Sequence, residues 1–260
     1  MLTMTTLTII AITTLFAGTY PEARRDGTVY TMHGIEVQDP YRWLEGDVRN
    51  HEEVANWVDA QNEVTRGHLD SISSRPAIRQ RVEELWNYPK TSTPMRRGDR
   101  YFFTHNDGLE NQSIWYMSDS LTDDPKILLD PNTLSDDGTA AVSGTSFSPD
   151  GRWLAWARSD GGSDWKTWQI RDLETGEDLP DLVEWSKFSG ASWMPDGSGF
   201  YYARYDAPET GMAMQAANEN QSLWFHRRGT PQSEDVLVHE NPDEPHWGWS
   251  PKVSHDGRWL

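Results

Sequence analysis

Cysteine is absent from the 260 residues, so the chain has no disulfide framework, no Cys-ligated zinc or iron–sulfur cluster and no thiol nucleophile. Basic residues are scarce. Against 41 Asp and Glu stand only 23 Lys and Arg, a formal net charge of −18. Phosphate binding draws on clustered cations, so no nucleic-acid partner is expected. Long apolar runs are missing too. The one sustained uncharged stretch is residues 1–18, apolar chiefly from Leu7 to Ala17, and a bilayer-crossing helix needs ~20 such residues. No membrane span is therefore expected, and residues 1–19 read as an apolar extension or a weak secretion signal. No Lys or Arg precedes the run, and Leu15 falls where signal cleavage prefers a small side chain.

Aromatic residues, by contrast, are abundant. The 14 Trp and 9 Tyr favour β structure and a packed core. Two helices are expected first. Val54, Trp57, Val58, Val64, Leu69 and Ile72 approximate one helical face between Asn50 and Ile72. A second helix starts at a Ser74 N-cap with Pro76 in its first turn, carries Ile78, Val82, Leu85 and Trp86 on one stripe, and stops at Pro89. Residues 20–89 thus read as an extended lead-in plus two helices.

After Pro89 short alternating aromatic runs are broken by Asp-Gly or equivalent turns. The runs recur as MRRGDRYFFTH (95–105), FSPDGRWLAWA (147–157), WMPDGSGFYYA (193–203) and VSHDGRWL (253–260). Their turn glycines, Gly98, Gly151, Gly197 and Gly257, are 53, 46 and 60 residues apart. A second strand marker keeps step, at Trp115, Trp168 and Trp224, spaced 53 and 56. Two phased markers predict a radial array of four-stranded units, a β-propeller, with about three blades and the start of a fourth over residues 90–260. An array that stops at Leu260 would leave an open edge. The expectation is therefore a truncated propeller, a fragment whose remaining blades lie further on.

The residues offer little chemistry of their own. His33, His51, His68, His105, His226, His239, His246 and His255 include no His-Glu-x-x-His pair, and all eight read as structural or exposed. No metal or cofactor is expected. Gly144-Thr145-Ser146-Phe147-Ser148 and Gly162-Ser163-Asp164-Trp165 lack the second glycine of a nucleophile elbow and read as propeller turns. The sequons Asn111-Gln112-Ser113 and Asn220-Gln221-Ser222 precede repeat strands and read as pairing or turn residues.

Several segments nevertheless occur in a familiar order. Asp39-Pro40-Tyr41-Arg42-Trp43-Leu44-Glu45, Asn87-Tyr88-Pro89-Lys90, Asn106-Asp107-Gly108-Leu109-Glu110-Asn111-Gln112 and Leu129-Asp130-Pro131-Asn132-Thr133-Leu134-Ser135-Asp136-Asp137-Gly138-Thr139 resemble the N-terminal part of prolyl oligopeptidases. Gly162-Ser163-Asp164-Trp165 and Pro242-Asp243-Glu244-Pro245 extend the likeness, which covers about residues 20–260. The resemblance implies a seven-bladed propeller joined to an α/β-hydrolase domain, on which the helices of residues 20–89 would pack. It also implies a serine endopeptidase that cleaves short peptides after proline, with the propeller restricting substrate size, as a cytoplasmic monomer. If residues 1–18 act as a signal, the location becomes periplasmic or secreted.

The family's Ser, Asp and His lie in the C-terminal domain, so no catalytic residue is expected in this chain, which is predicted inactive alone. In Lys187-Phe188-Ser189-Gly190, Phe188 matches a phenylalanine that the family directs at the substrate pocket from the propeller side. Asp164 matches an aspartate near the interdomain cavity. The sequence departs from the pattern at Trp247-Gly248-Trp249, where Gly248 replaces the methionine of family members. Two other readings remain open: a non-enzymatic propeller that binds peptides or proteins, and an oligopeptidase B-like enzyme preferring basic residues. The Leu-Ser-Asp-Asp-Gly-Thr run favours the prolyl type.

Overall fold

The computed structural model describes residues 20–214 and 216–260. The apolar run Leu7–Ala17, weighed above as a secretion signal, lies outside the described residues. The chain divides into two compact units, one up to Arg79 and the other from Gln80 onward.

In the first unit, β1 (Val29–Met32) and β2 (Ile35–Gln38) form an antiparallel hairpin. The sequence reading took this stretch as extended and missed the hairpin. Its turn is His33-Gly34, both at positive φ (51° and 80°), the backbone of a tight two-residue hairpin loop. His is an uncommon occupant, and the usual turn dipeptides gave no signal. Helix α1 (Glu52–Ser71) starts at His51, whose ring Nδ1 accepts from the Val54 N–H, with Glu52 and Glu53 in the first turn where acids suit the helix dipole. Helix α2 (Arg75–Trp86) follows and runs across the boundary between the units. Its stripe of Ile78, Val82, Leu85 and Trp86 is exposed. No helix of the described residues is long and apolar enough to cross a membrane.

From Lys90 onward three antiparallel sheets succeed one another. The first is built from β3 (Lys90–Thr91), β4 (Met95–Arg97), β5 (Arg100–Asn106), β6 (Ile114–Ser118) and β7 (Lys126–Leu129). Both β3 and β4 pair with β5, as two halves of one edge strand. The break holds Pro94, which has no N–H to give a ladder. The second sheet runs β8 (Ala140–Phe147), β9 (Trp153–Asp160), β10 (Lys166–Asp172), β11 (Asp178–Ser186). The third runs β12 (Ser192–Trp193), β13 (Gly199–Arg204), β14 (Ser222–Arg227), β15 (Val236–His239). Each is a meander in chain order, as a propeller blade requires. The fourth repeat forms its turn, with Gly257 N–H donating to the Ser254 carbonyl at 2.9 Å, but no strand.

The blades stack through side chains that alternate along β9, as the two-residue strand period dictates. Leu154 and Trp156 point into a core shared with Phe102, Leu128, Leu129 and Phe147. Trp153, Ala155 and Ala157 point the other way, into a core shared with Trp168, Ile170, Val183, Trp193, Phe200 and Tyr202. The second blade is thus covered on both faces.

Polar contacts lock the same joints. Between the second and third blades the His226 imidazole is fully buried, 2.7 Å from Asp235 Oδ1 through Nδ1 and 3.0 Å from Asp181 Oδ1 through Nε2. Tyr202 Oη donates to Asp235 Oδ2 (2.6 Å) and the Gly229 N–H to Asp181 Oδ1 (2.6 Å). Burial alone would lower the His226 pKa, but the bonds to Asp181 and Asp235 outweigh it and raise it to about 9. Burial is also the main reason that the Tyr202 hydroxyl is pushed well above its ordinary value.

Candidate functional site

Because each blade is a meander, its turns fall alternately at two ends. The repeat glycines lie at one end. There Gly98 N–H donates to the Pro149 carbonyl at 3.0 Å, and a Cβ on Gly151 would lie 2.4 Å from the Arg97 carbonyl oxygen. The opposite end, here termed the rim, gathers the β9–β10 turn, the connector over 187–191, the connector over 205–221 and the segment after β15. Asp164 and Phe188, the two residues singled out in the sequence, both lie on this rim.

Phe188 is 58% exposed although its neighbours Ser186, Lys187 and Ser189 are buried. It does not pack between strands. Its φ of 53° is left-handed, a conformation that a bulky residue keeps only when its surroundings impose it. The imposing contacts are present. Ser186 Oγ donates to the Ala203 carbonyl (2.8 Å), Ser189 Oγ accepts from the Ala203 N–H (3.2 Å), and Gln221 Nε2 donates to the Lys187 carbonyl (2.9 Å). A fixed turn thus presents a ring to solvent.

Beside it, Lys187 Nζ sits 3.8 Å from the centroid of Trp165 and donates to Asn218 Oδ1 at 3.0 Å. Burial lowers the Lys187 pKa, and the Asp164 charge opposes that shift. Asp164 itself is exposed. Trp165 meets Trp185 and Tyr205 edge to face at 5.5 and 6.2 Å, and its Nε1 donates to the Ala213 carbonyl (2.7 Å). Trp185 is left-handed as well, at φ 62°, where the register of β11 slips against β10. Trp185, Arg204, Tyr205, Trp224 and Gln232 help line a cleft of about 420 Å³.

The rim therefore offers aromatic faces, the shielded Lys187 ammonium and open carboxylates, Asp164 among them, groups suited to holding a peptide. The sequence reading found Asp164 and Phe188 but missed Lys187, Trp165, Trp185 and Tyr205. Adjacency to the two named residues was the available signal for Lys187 and Trp165. Nothing local marks Trp185, whose position depends on a bulge. Among the described residues, no group of three or more His, Asp or Glu is placed to hold a metal ion.

Known proteins agree with this architecture. The sequence model for the prolyl oligopeptidase N-terminal β-propeller domain matches residues 20–260, and the chain belongs to that family. It is 36% identical over 241 residues to a prolyl endopeptidase of Elizabethkingia miricola, covering 93% of this chain and 34% of the relative. Prolyl oligopeptidase A of Galerina marginata is 35% identical over 272 residues, covering 93% of this chain and 36% of that one. Among solved structures, a mutant of prolyl oligopeptidase B from Galerina marginata bound to a 35mer hydrolysis and macrocyclization substrate matches with a TM-score of 0.74 at 31% identity, covering 92% of this chain and 36% of that one. The chain spans about a third of the length of the curated relatives it matches.

Proposed function

We propose that the rim forms the propeller-side wall of the substrate cavity of a serine endopeptidase that cleaves short peptides on the carboxyl side of proline. Phe188 faces the substrate, and Asp164 sets the charge beside it. The reaction is acyl transfer: a serine attacks the peptide carbonyl, a histidine moves its proton, an aspartate orients the histidine, and N–H donors hold the oxyanion. An α/β-hydrolase domain supplies these groups, and the propeller admits only short peptides. The exposed apolar stripe of α2 suits packing against such a domain.

The observation that carries this reading is the Phe188 ring, held open on a turn whose backbone is anchored by buried neighbours. An aromatic face is a natural wall for an apolar or proline side chain. The test is Phe188→Ala in the full-length enzyme on a proline-containing reporter peptide. We expect KM to rise about 10-fold, the loss of one such apolar contact, with kcat nearly unchanged because the reacting groups are untouched. Unchanged KM would remove Phe188 from the substrate cavity.

A further inference from the structure

The two Asn-Gln-Ser tripeptides stand at the same place in their repeats. Gln112 lies three residues before Trp115, and Gln221 three before Trp224. Each side-chain amide uses both a donor and an acceptor, but on different partners. Gln112 Nε2 donates to the Ala140 carbonyl (2.8 Å) and its Oε1 accepts from the Val142 N–H (3.3 Å), so its amide adds a ladder step onto the next blade. Gln221, which is buried, donates through Nε2 to the Lys187 carbonyl (2.9 Å) and accepts the Trp249 N–H on Oε1. The Gln221 carbonyl accepts from Trp249 Nε1 (2.7 Å), and the Asn220 N–H donates to the Pro245 carbonyl (2.7 Å). A primary amide offers a donor and an acceptor in one plane, as a peptide group does.

The partners of Gln221 lie on two different connectors. One carries Phe188. The other carries Trp247, 54% exposed, and Trp249. The Lys187 carbonyl belongs to the peptide plane that precedes Phe188, so the bond from Gln221 helps set the left-handed φ of that residue. A Cβ at Gly248 would come within 3.3 Å of Gln221 Oε1, so glycine there leaves the amide unobstructed.

We propose that Gln221 is a positioning residue that ties the Phe188 turn to the Trp247–Trp249 segment, so that these two parts of the rim meet a peptide as one surface. The peptide part of this statement rests on the proposed function. The mechanical coupling does not. Gln221→Leu removes both amide bonds, whereas Gln221→Glu keeps an acceptor for the Trp249 N–H but has no donor for the Lys187 carbonyl.

The test labels the chain with 4-fluorophenylalanine at position 188 and 5-fluorotryptophan at position 249 and reads both by fluorine NMR. In Gln221→Leu both resonances shift or broaden, and amide exchange at Trp249 quickens about 5-fold, the loss of one hydrogen bond. In Gln221→Glu the resonance at 188 moves while that at 249 stays. A Phe188 resonance that keeps its position and width in Gln221→Glu, or in a folded Gln221→Leu, overturns the coupling. If Gln221→Leu fails to fold, Gln221→Glu alone decides. Titration of a proline-containing peptide separates the two ideas, because a Phe188→Ala chain that binds it as tightly as wild type, while the labelled Phe188 chain still shows the shifts expected of the Gln221 variants, sinks the peptide reading and leaves the coupling standing.

Discussion

His226 keeps a proton in a place that water does not reach. Two carboxylates bracket it, and one oxygen, Asp181 Oδ2, has no hydrogen-bond partner. Removing one member of such a buried set leaves the others uncompensated, so His226→Leu should cost about 3–5 kcal/mol, measured by denaturant unfolding. The pH dependence has a definite sign. The folded-state pKa of about 9 lies above the ordinary 6.5, so the contribution is complete below about pH 6.5 and lost as pH rises through about 9. Thermal melts should show the wild-type midpoint falling between about pH 7 and 10, and falling less in His226→Gln. Equal slopes would mean that His226 does not carry the charge. No local pattern singles out this histidine, since Asp181 and Asp235 lie 45 and 9 residues away from it and only blade stacking unites them.

At the scale of elements, the strands were readable because their signal is local. Alternating aromatics after a turn dipeptide mark β5, β9 and β13, and the repeated tryptophan marks β6, β10 and β14. What could be read only in part is why the turn positions must be glycine. Positive φ is half of it, at 53° for Gly98 and 72° for Gly151, and such a φ permits other residues at modest strain. The rest is that the two turns touch each other's backbone, a contact between residues 53 apart. Gly176 is the natural control, at φ 79° with open space around it. Alanine there should cost about 1–2 kcal/mol, the left-handed strain alone. Gly151→Ala must also displace a backbone carbonyl and should cost more than Gly176→Ala by at least about 1 kcal/mol. Equal losses in chemical denaturation would show that the turns move apart freely. The rim was only partly legible for a similar reason. Phe188 and Asp164 were found by likeness to a family, while Trp185 depends on a strand slip that no pattern announces.

For the whole molecule, the order of the blades sets the order of stability. Only the second sheet is packed on both faces within the described residues, and an array of this kind holds together by nearest-neighbour contacts. Backbone amides of β9 and β10 should therefore exchange most slowly, and those of β15, whose side chains are all exposed, among the fastest. Hydrogen exchange followed by mass spectrometry reads this directly, and uniform protection across the three sheets would contradict it. Trp168→Ala, emptying the core between the second and third blades, should cost about 3–5 kcal/mol and lift exchange in both.

The contact between the Gly98 and Gly151 turns also divides the molecule's freedom to change. Repeat lengths of 53, 46 and 60 residues cannot be absorbed where two backbones meet, and most of the difference collects at the other end, as in the long connector over 205–221. The joint between these two turns behaves as a hinge pin of fixed gauge, and the opposite end as a place where new loops can be grafted. Because Asp164 and Phe188 stand on that variable side, the proposed peptide-facing wall can be reshaped by lengthening a connector, without disturbing the stack beneath it.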